Sequence, residues 1–343
     1  MCIRDRHKIF DVNVPVGVLA VLLAAFVQKE WKNQTRSPFD WQGFAAIVLF
    51  MPLAIYALAR GNSPSNPGGW SAPEVIGCFI VAGAALAWFI VAELRNPAPL
   101  LQIRLLAERN FGISMAVLTL FAIGMLGGTY LLPLYMQRGL GYTALAAGSM
   151  FLPVGVIQGV LSAVSGYLTR YVRPLLLSAA GILIMALSFW LASRFTLHTT
   201  HGHILFILYL RGFGMGLTFA PLNLFSLKNL TQQDMAAAAG ISNSIKQLAG
   251  SIGIALLTVI FSARTSYHAA HETVSAAQTY VEGVTDALRV VAVITLAALL
   301  PLLGVFRKKR PGKSGVKGAA TPSPGEAVSG KTDKTTIYRT KPE

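Results

Sequence analysis

The chain has 343 residues, of which 54% are apolar and only 13% charged, against about 25% charged in soluble domains. Its mean hydropathy is +0.56, and together these values exclude an ordinary soluble enzyme, a disordered polypeptide and a disulfide-stapled secreted domain. Two cysteines, Cys2 and Cys78, have no spacing suited to a disulfide framework, a metal or redox chemistry. The formal net charge of +15 suggests a nucleic-acid partner, but its placement does not. Residues 307–343 carry ten Lys and Arg against only Glu326, Asp333 and Glu343, and most other basic residues sit between long apolar runs. The pattern is that of a multi-pass protein of the lipid bilayer.

A hydrocarbon core of about 30 Å needs roughly 20 apolar helical residues. Nine runs qualify in chain order: 9–28, 41–60, 73–92, 111–136, 146–167, 174–193, 203–226, 236–262 and 285–306. Helices are expected because an unpaired backbone group in lipid costs several kcal/mol, and the short alternating segments of a barrel do not occur. The alternate connections hold 19 and 8 Lys and Arg, respectively. That asymmetry puts the C-terminus in the cytoplasm of a cell (inner) membrane and, with nine spans, the N-terminus outside. Arg4, Arg6 and Lys8 would then lie on the disfavoured side. The expectation is that the chain begins mid-protein, with residues 1–8 a doubtful, non-native start.

Between the spans, Gly61–Gly69 has turn composition. Residues 93–110 read as a short cytoplasmic amphipathic helix, lying on the membrane surface or simply linking two bundles. Residues 307–343 read as a disordered, basic cytoplasmic tail. Gly325–Thr332 matches the phosphate-loop pattern GxxxxGK[ST], but with no strand before it and no helix after it the match is accidental. The GxGxG run Gly212–Gly216 lies inside a span and reads as helix packing. His198, His201 and His203 have an HxxHxH spacing able to hold a metal, yet loops this polar are read as solvated. No HExxH, GxSxG or catalytic carboxylate pair occurs, so no catalytic residue, metal site or cofactor is expected.

Small residues four apart let helices approach closely: Gly124 with Gly128, Gly155 with Gly159, Ser162 with Gly166, Gly212 with Gly216, and Ala249 with Gly253, beside which Gly250 is a further packing candidate. Lys246 lies about ten residues into its span, so about 15 Å deep, where a lysine costs roughly 2.5–3.5 kcal/mol. Asn243, Lys246, Gln247, Gly250 and Gly253 share a helical spacing, and Arg211, Gln158 and Gln137 add polar groups in other spans. They form either a polar cavity or a ligand-free network of interhelical hydrogen bonds. Met125, Tyr130 and Phe219 are apolar cavity candidates. None of the fourteen acidic residues sits mid-membrane, so the carboxylate that proton coupling requires is not evident.

Asn13-Val14-Pro15-Val16-Gly17 resembles the opening of the sixth span in fourteen-span drug:proton antiporters of the EmrB/QacA type, within the major facilitator superfamily. Leu132–Gln137, Gly141–Gly148 and Leu152–Gly155 resemble that family's ninth-to-tenth-span signature, Arg211–Gly214 with Pro221-Leu222 its twelfth span, and Asn243–Gly253 its thirteenth, with Lys246 where arginine is usual. The resemblance implies a partial, all-α major facilitator fold: 9–28 as the last helix of an N-terminal bundle, 41–92 as two central helices, and 111–306 as a complete six-helix C-terminal bundle. It further implies that the coupling carboxylate belongs to five absent spans, so that these residues alone do not transport. The implied activity is proton-driven export of amphipathic, cationic or hydrophobic, compounds by alternating access, with a periplasmic adaptor as candidate partner. Rival readings are a carrier of another small metabolite, or a non-transporting scaffold whose basic tail binds lipid or a partner.

Overall fold

The computed structural model describes residues 13–27, 40–61, 66, 68–96, 103–232, 234–271 and 275–307. The helices are α1 (Asn13–Val27), α2 (Trp41–Gly61), α3 (Pro73–Arg95), α4 (Arg109–Leu134), α5 (Ala144–Ser149), α6 (Leu152–Leu168), α7 (Pro174–Ala192), α8 (His201–Leu227), α9 (Met235–His271), α10 (Ala276–Ala297) and α11 (Leu300–Arg307). Among the described residues there is no strand. Eight segments are long and apolar enough to cross a bilayer: Trp41–Leu58, Pro73–Arg95, Arg109–Gly139, Ala144–Leu168, Pro174–Ala192, His201–Leu227, Met235–His271 and Ala276–Gly304. The remaining expected span, 9–28, contains α1, whose described length is 15 residues. The expected non-native start and all of the tail beyond Arg307 lie outside the described residues.

Helix boundaries follow local chemistry. Pro153 sits in the first turn of α6, where its missing N–H costs nothing, so the expected continuous span 146–167 is two helices broken at Met150 and Phe151. Within the expected amphipathic linker 93–110 the described residues include a 3₁₀ turn, Ile103–Ala107, and residues 97–102 lie outside the described residues. The turn ends because Glu108 caps α4, its Oε2 accepting from Phe111 N at 2.7 Å. At the far end of α4 a π turn, Tyr135–Gly139, is fixed by Tyr135, whose hydroxyl donates to Thr196 O at 2.7 Å and whose ring stacks on Phe195.

The last two long helices extend beyond their apolar runs. Hydropathy alone delimits 236–262 and 285–306, yet α9 continues to His271 and α10 begins at Ala276. Ser275 caps α10, its Oγ accepting from Gln278 N at 3.2 Å. The residue pattern Ser-x-x-Gln is a capping signal that hydropathy does not register.

Helix α4 is the hub, packing on α8, α9 and α10, while α7 joins α8 to α10 and α6 leans chiefly on α8; α2 and α3 form a hairpin that touches α9. In the apolar windows, 61% of the Arg109–Gly139 segment is buried but only 17% of Ala144–Leu168 and 22% of Met235–His271. The α6 and α9 helices therefore present broad faces outside the packed core. That core holds Phe111, Phe121, Phe189, Met185, Ile204 and Leu208, all fully buried.

Glycines set the closest helix contacts. A Cβ on Gly212 would lie 3.1 Å from Val154 O, one on Gly216 3.0 Å from Gln158 O, and one on Gly124 3.5 Å from Val291 O. Gly253 abuts the Ile123 backbone, while Gly128 meets Phe189 and Gly250 meets Leu126. Gly155 and Gly159 depart from the expectation: nothing lies within 4 Å of a Cβ at either position. They lie on the outward face of α6, because its contact with α8 runs through Val154, Gln158, Leu161 and Ser165 instead.

Candidate functional site

Helical spacing places four residues of α9, Ala239, Ser242, Asn243 and Lys246, on one face at intervals of three and four. Phe219, Asn223, Ser226 and Leu227 do the same on α8. With Leu118 of α4 they line a cavity of about 290 Å³. It lies toward the end of the bundle where residues 228–234 join α8 to α9.

The walls combine apolar surface with neutral hydrogen-bonding groups. Phe219 is held edge-on against Phe121 with ring centroids 5.5 Å apart. The Ser226 hydroxyl donates to Asn223 O at 2.7 Å and the Ser242 hydroxyl to Ala238 O at 2.8 Å, so each keeps acceptor capacity for a ligand. Lys246 is the only charged lining residue, and among the described residues it has no hydrogen bond or ion pair. A half-buried ammonium facing amides, hydroxyls and an aromatic wall can accept a polar ligand group while the walls hold an apolar body.

Of the expected cavity residues, Asn243, Lys246 and Phe219 meet in this cavity and the others do not line it. Gln137 is exposed on the π turn, Gln247 is exposed on α9, and Gln158 is half-buried where α6 meets α8. Tyr130 is 38% exposed, and Met125 is buried. Arg211 differs most from expectation. It is 2% exposed and turned toward α4, donating from Nη2 to Met125 O at 3.3 Å and to Thr129 Oγ1. Its guanidinium lies 5.6 Å from the Phe189 ring centroid, while Nε and Nη1 have no hydrogen-bond partner among the described residues. Arg211 is thus part of the packing of α4, α7 and α8 and not of the cavity wall. Leu118, Ser226, Leu227, Ala239 and Ser242 were not singled out from sequence; Ala239 and Ser242 could have been found by stepping back seven and four residues from Lys246.

The Major Facilitator Superfamily profile matches residues 15–254, and the chain belongs to that family. It is 32% identical over 269 residues to the multidrug export protein EmrB of Escherichia coli (strain K12), covering 78% of this chain and 52% of that protein. It is 28% identical over 262 residues to the fatty acid resistance protein FarB of Neisseria gonorrhoeae, covering 76% and 51%. It is 29% identical over 255 residues to the MFS-type transporter YhcA of Bacillus subtilis (strain 168), covering 74% and 47%. The chain spans about half the length of these curated relatives. It is a multi-span helical membrane protein whose relatives include multidrug efflux transporters.

Proposed function

We propose that the chain serves proton-driven export of amphipathic or hydrophobic compounds by alternating access, with the cavity between α4, α8 and α9 as one wall of the substrate path. The observation that carries this reading is the cavity lining: one unpaired ammonium, Lys246, among amides, hydroxyls and the Phe219 ring. The names of EmrB and FarB, a multidrug export and a fatty acid resistance protein, support an apolar or amphipathic cargo. Mobile access requires two bundles rocking about a shared site, and the weakly buried faces of α6 and α9 are the surfaces on which such movement would occur.

The coupling proton would be handled by a carboxylate outside this cavity, since no acidic residue lines it. The excess of Lys and Arg on one set of connections supports a cell-membrane location with the C-terminus in the cytoplasm, and a periplasmic adaptor is the proposed protein partner.

Equilibrium binding tests the cavity. The purified chain in lipid nanodiscs is titrated with Nile red, a neutral lipophilic dye, and with 1-anilinonaphthalene-8-sulfonate. Lys246→Ala and Asn243→Ala should weaken binding of at least one dye by about tenfold, the equivalent of 1.4 kcal/mol. Equal binding by the parent chain and both variants would overturn the assignment.

A further inference from the structure

The extensions of α9 and α10 beyond their apolar runs bring five ionisable side chains together at the end of the bundle opposite the cavity. There the helices touch closely: a Cβ on Gly283 of α10 would lie 3.1 Å from the Thr265 backbone nitrogen of α9. His268 of α9 is held one turn further along, its side chain only 15% exposed. Its Nε2 lies 3.1 Å from Asp286 Oδ2, and its Nδ1 lies 3.5 Å from Glu282 Oε2. Asp286 is hydrogen-bonded to one ring nitrogen, and Glu282 Oε2, which has no hydrogen-bond partner among the described residues, lies near the other.

That arrangement makes the charge on the ring matter to the contact between the two helices. A neutral imidazole carries one N–H and one lone pair. Whichever tautomer it adopts, a carboxylate oxygen would face the lone pair. Only the imidazolium donates toward both. We propose that His268, Glu282 and Asp286 form a proton-binding site of this chain, whose loaded form ties α9 to α10 and whose unloaded form loosens that tie.

The surrounding charges are consistent with a site for one proton. Asp286 also accepts from Arg289 at 2.9 Å and lies 3.9 Å from Arg264, both of them more than half exposed. Glu282 accepts from Gln278 at 3.0 Å and lines a cavity of about 180 Å³ with His198 and Thr196 from the connection between α7 and α8. Glu282 therefore borders open space on the side away from His268. On the same helix as His268, His271 stacks on Tyr267 with centroids 4.4 Å apart and bonds to its carbonyl, while Tyr267 places its ring edge-on to His268. Arg138 is the charged group of the π turn packed against α10. The proposal stands independently of what the cavity at the other end binds.

The test uses the whole chain in detergent micelles. Its unfolding midpoint should fall by roughly 2–4 °C as the pH rises from about 6 to about 8, the range in which histidine loses its proton. His268→Gln and the pair Glu282→Gln/Asp286→Asn should abolish that fall, whereas His271→Gln should keep it. Nitrogen-15 spectra of histidine-labelled parent chain at about pH 6 give a readout that needs no variant, and His268 should show both ring nitrogens protonated. A flat midpoint in the parent, a fall that survives His268→Gln, or a neutral single tautomer of His268 at that pH would each overturn the proposal.

Discussion

Gly181 of α7 and Gly214 of α8 face each other backbone to backbone: a methyl on Gly181 would lie 2.8 Å from the Gly214 carbonyl oxygen, and one on Gly214 would lie 2.9 Å from that of Gly181. In lipid no hydrophobic drive brings helices together, so close backbone approach and its dispersion contacts hold the pair. The Ser178 hydroxyl donates across the same seam to the Thr218 carbonyl, while the Thr218 hydroxyl donates within α8 to Gly214 O.

Gly214→Ala and Gly181→Ala should therefore each lower stability by about 1–3 kcal/mol, the usual cost of overpacking. Thermal unfolding in detergent, followed by circular dichroism, reads the effect. A midpoint unchanged in both variants would contradict this contact.

Gly155 and Gly159 should behave in the opposite way, because open space surrounds both. Replacing either with alanine should stabilise the chain by roughly 0.5–1 kcal/mol through helix propensity alone. A loss comparable to that of Gly214→Ala would show that a neighbour occupies this face.

Arg211 and Thr129 give an asymmetric pair of outcomes. Thr129→Val removes the hydroxyl that accepts from the buried guanidinium, leaving a more poorly satisfied cation, and should cost about 1–3 kcal/mol. Arg211→Met removes the charge together with its unpartnered Nε and Nη1, and should be neutral or stabilising by up to about 4 kcal/mol. Unfolding midpoints of the two variants check the order; a larger loss in Arg211→Met than in Thr129→Val would reverse the assignment.

Ser275→Ala deletes the cap of α10 and should cost about 0.5–2 kcal/mol. Amide hydrogen exchange should show the loss concentrated in the first turn, Ala276–Thr279. Uniform exchange along α10 would argue against the cap.

Much of this was legible from residue order. Hydropathy alone located the segments that cross the bilayer, since about 20 apolar residues in lipid have little alternative to a helix. Lys246 was conspicuous because an ammonium at that depth is costly, and Asn243 followed from its spacing. The cap at Ser275 was equally available from its Ser-x-x-Gln pattern, but a search for apolar runs passes over it. Because residues 276–284 of α10 are too polar to register, the expected run begins only at 285 and does not bring Glu282 and Asp286 together with α9.

Which way each side chain points was decided only by the assembled helices. Water makes a helix of a soluble protein reveal its buried side, whereas lipid and protein interior are both apolar, and α4 and α7 are greasy all round. Nothing in the order of residues could say that Arg211 turns toward Thr129 while Lys246 turns toward Phe219, or that His268 falls between two carboxylates from the next helix. Those relations come from close packing among α4, α7, α8, α9 and α10, which sets the rotation of each helix about its own axis.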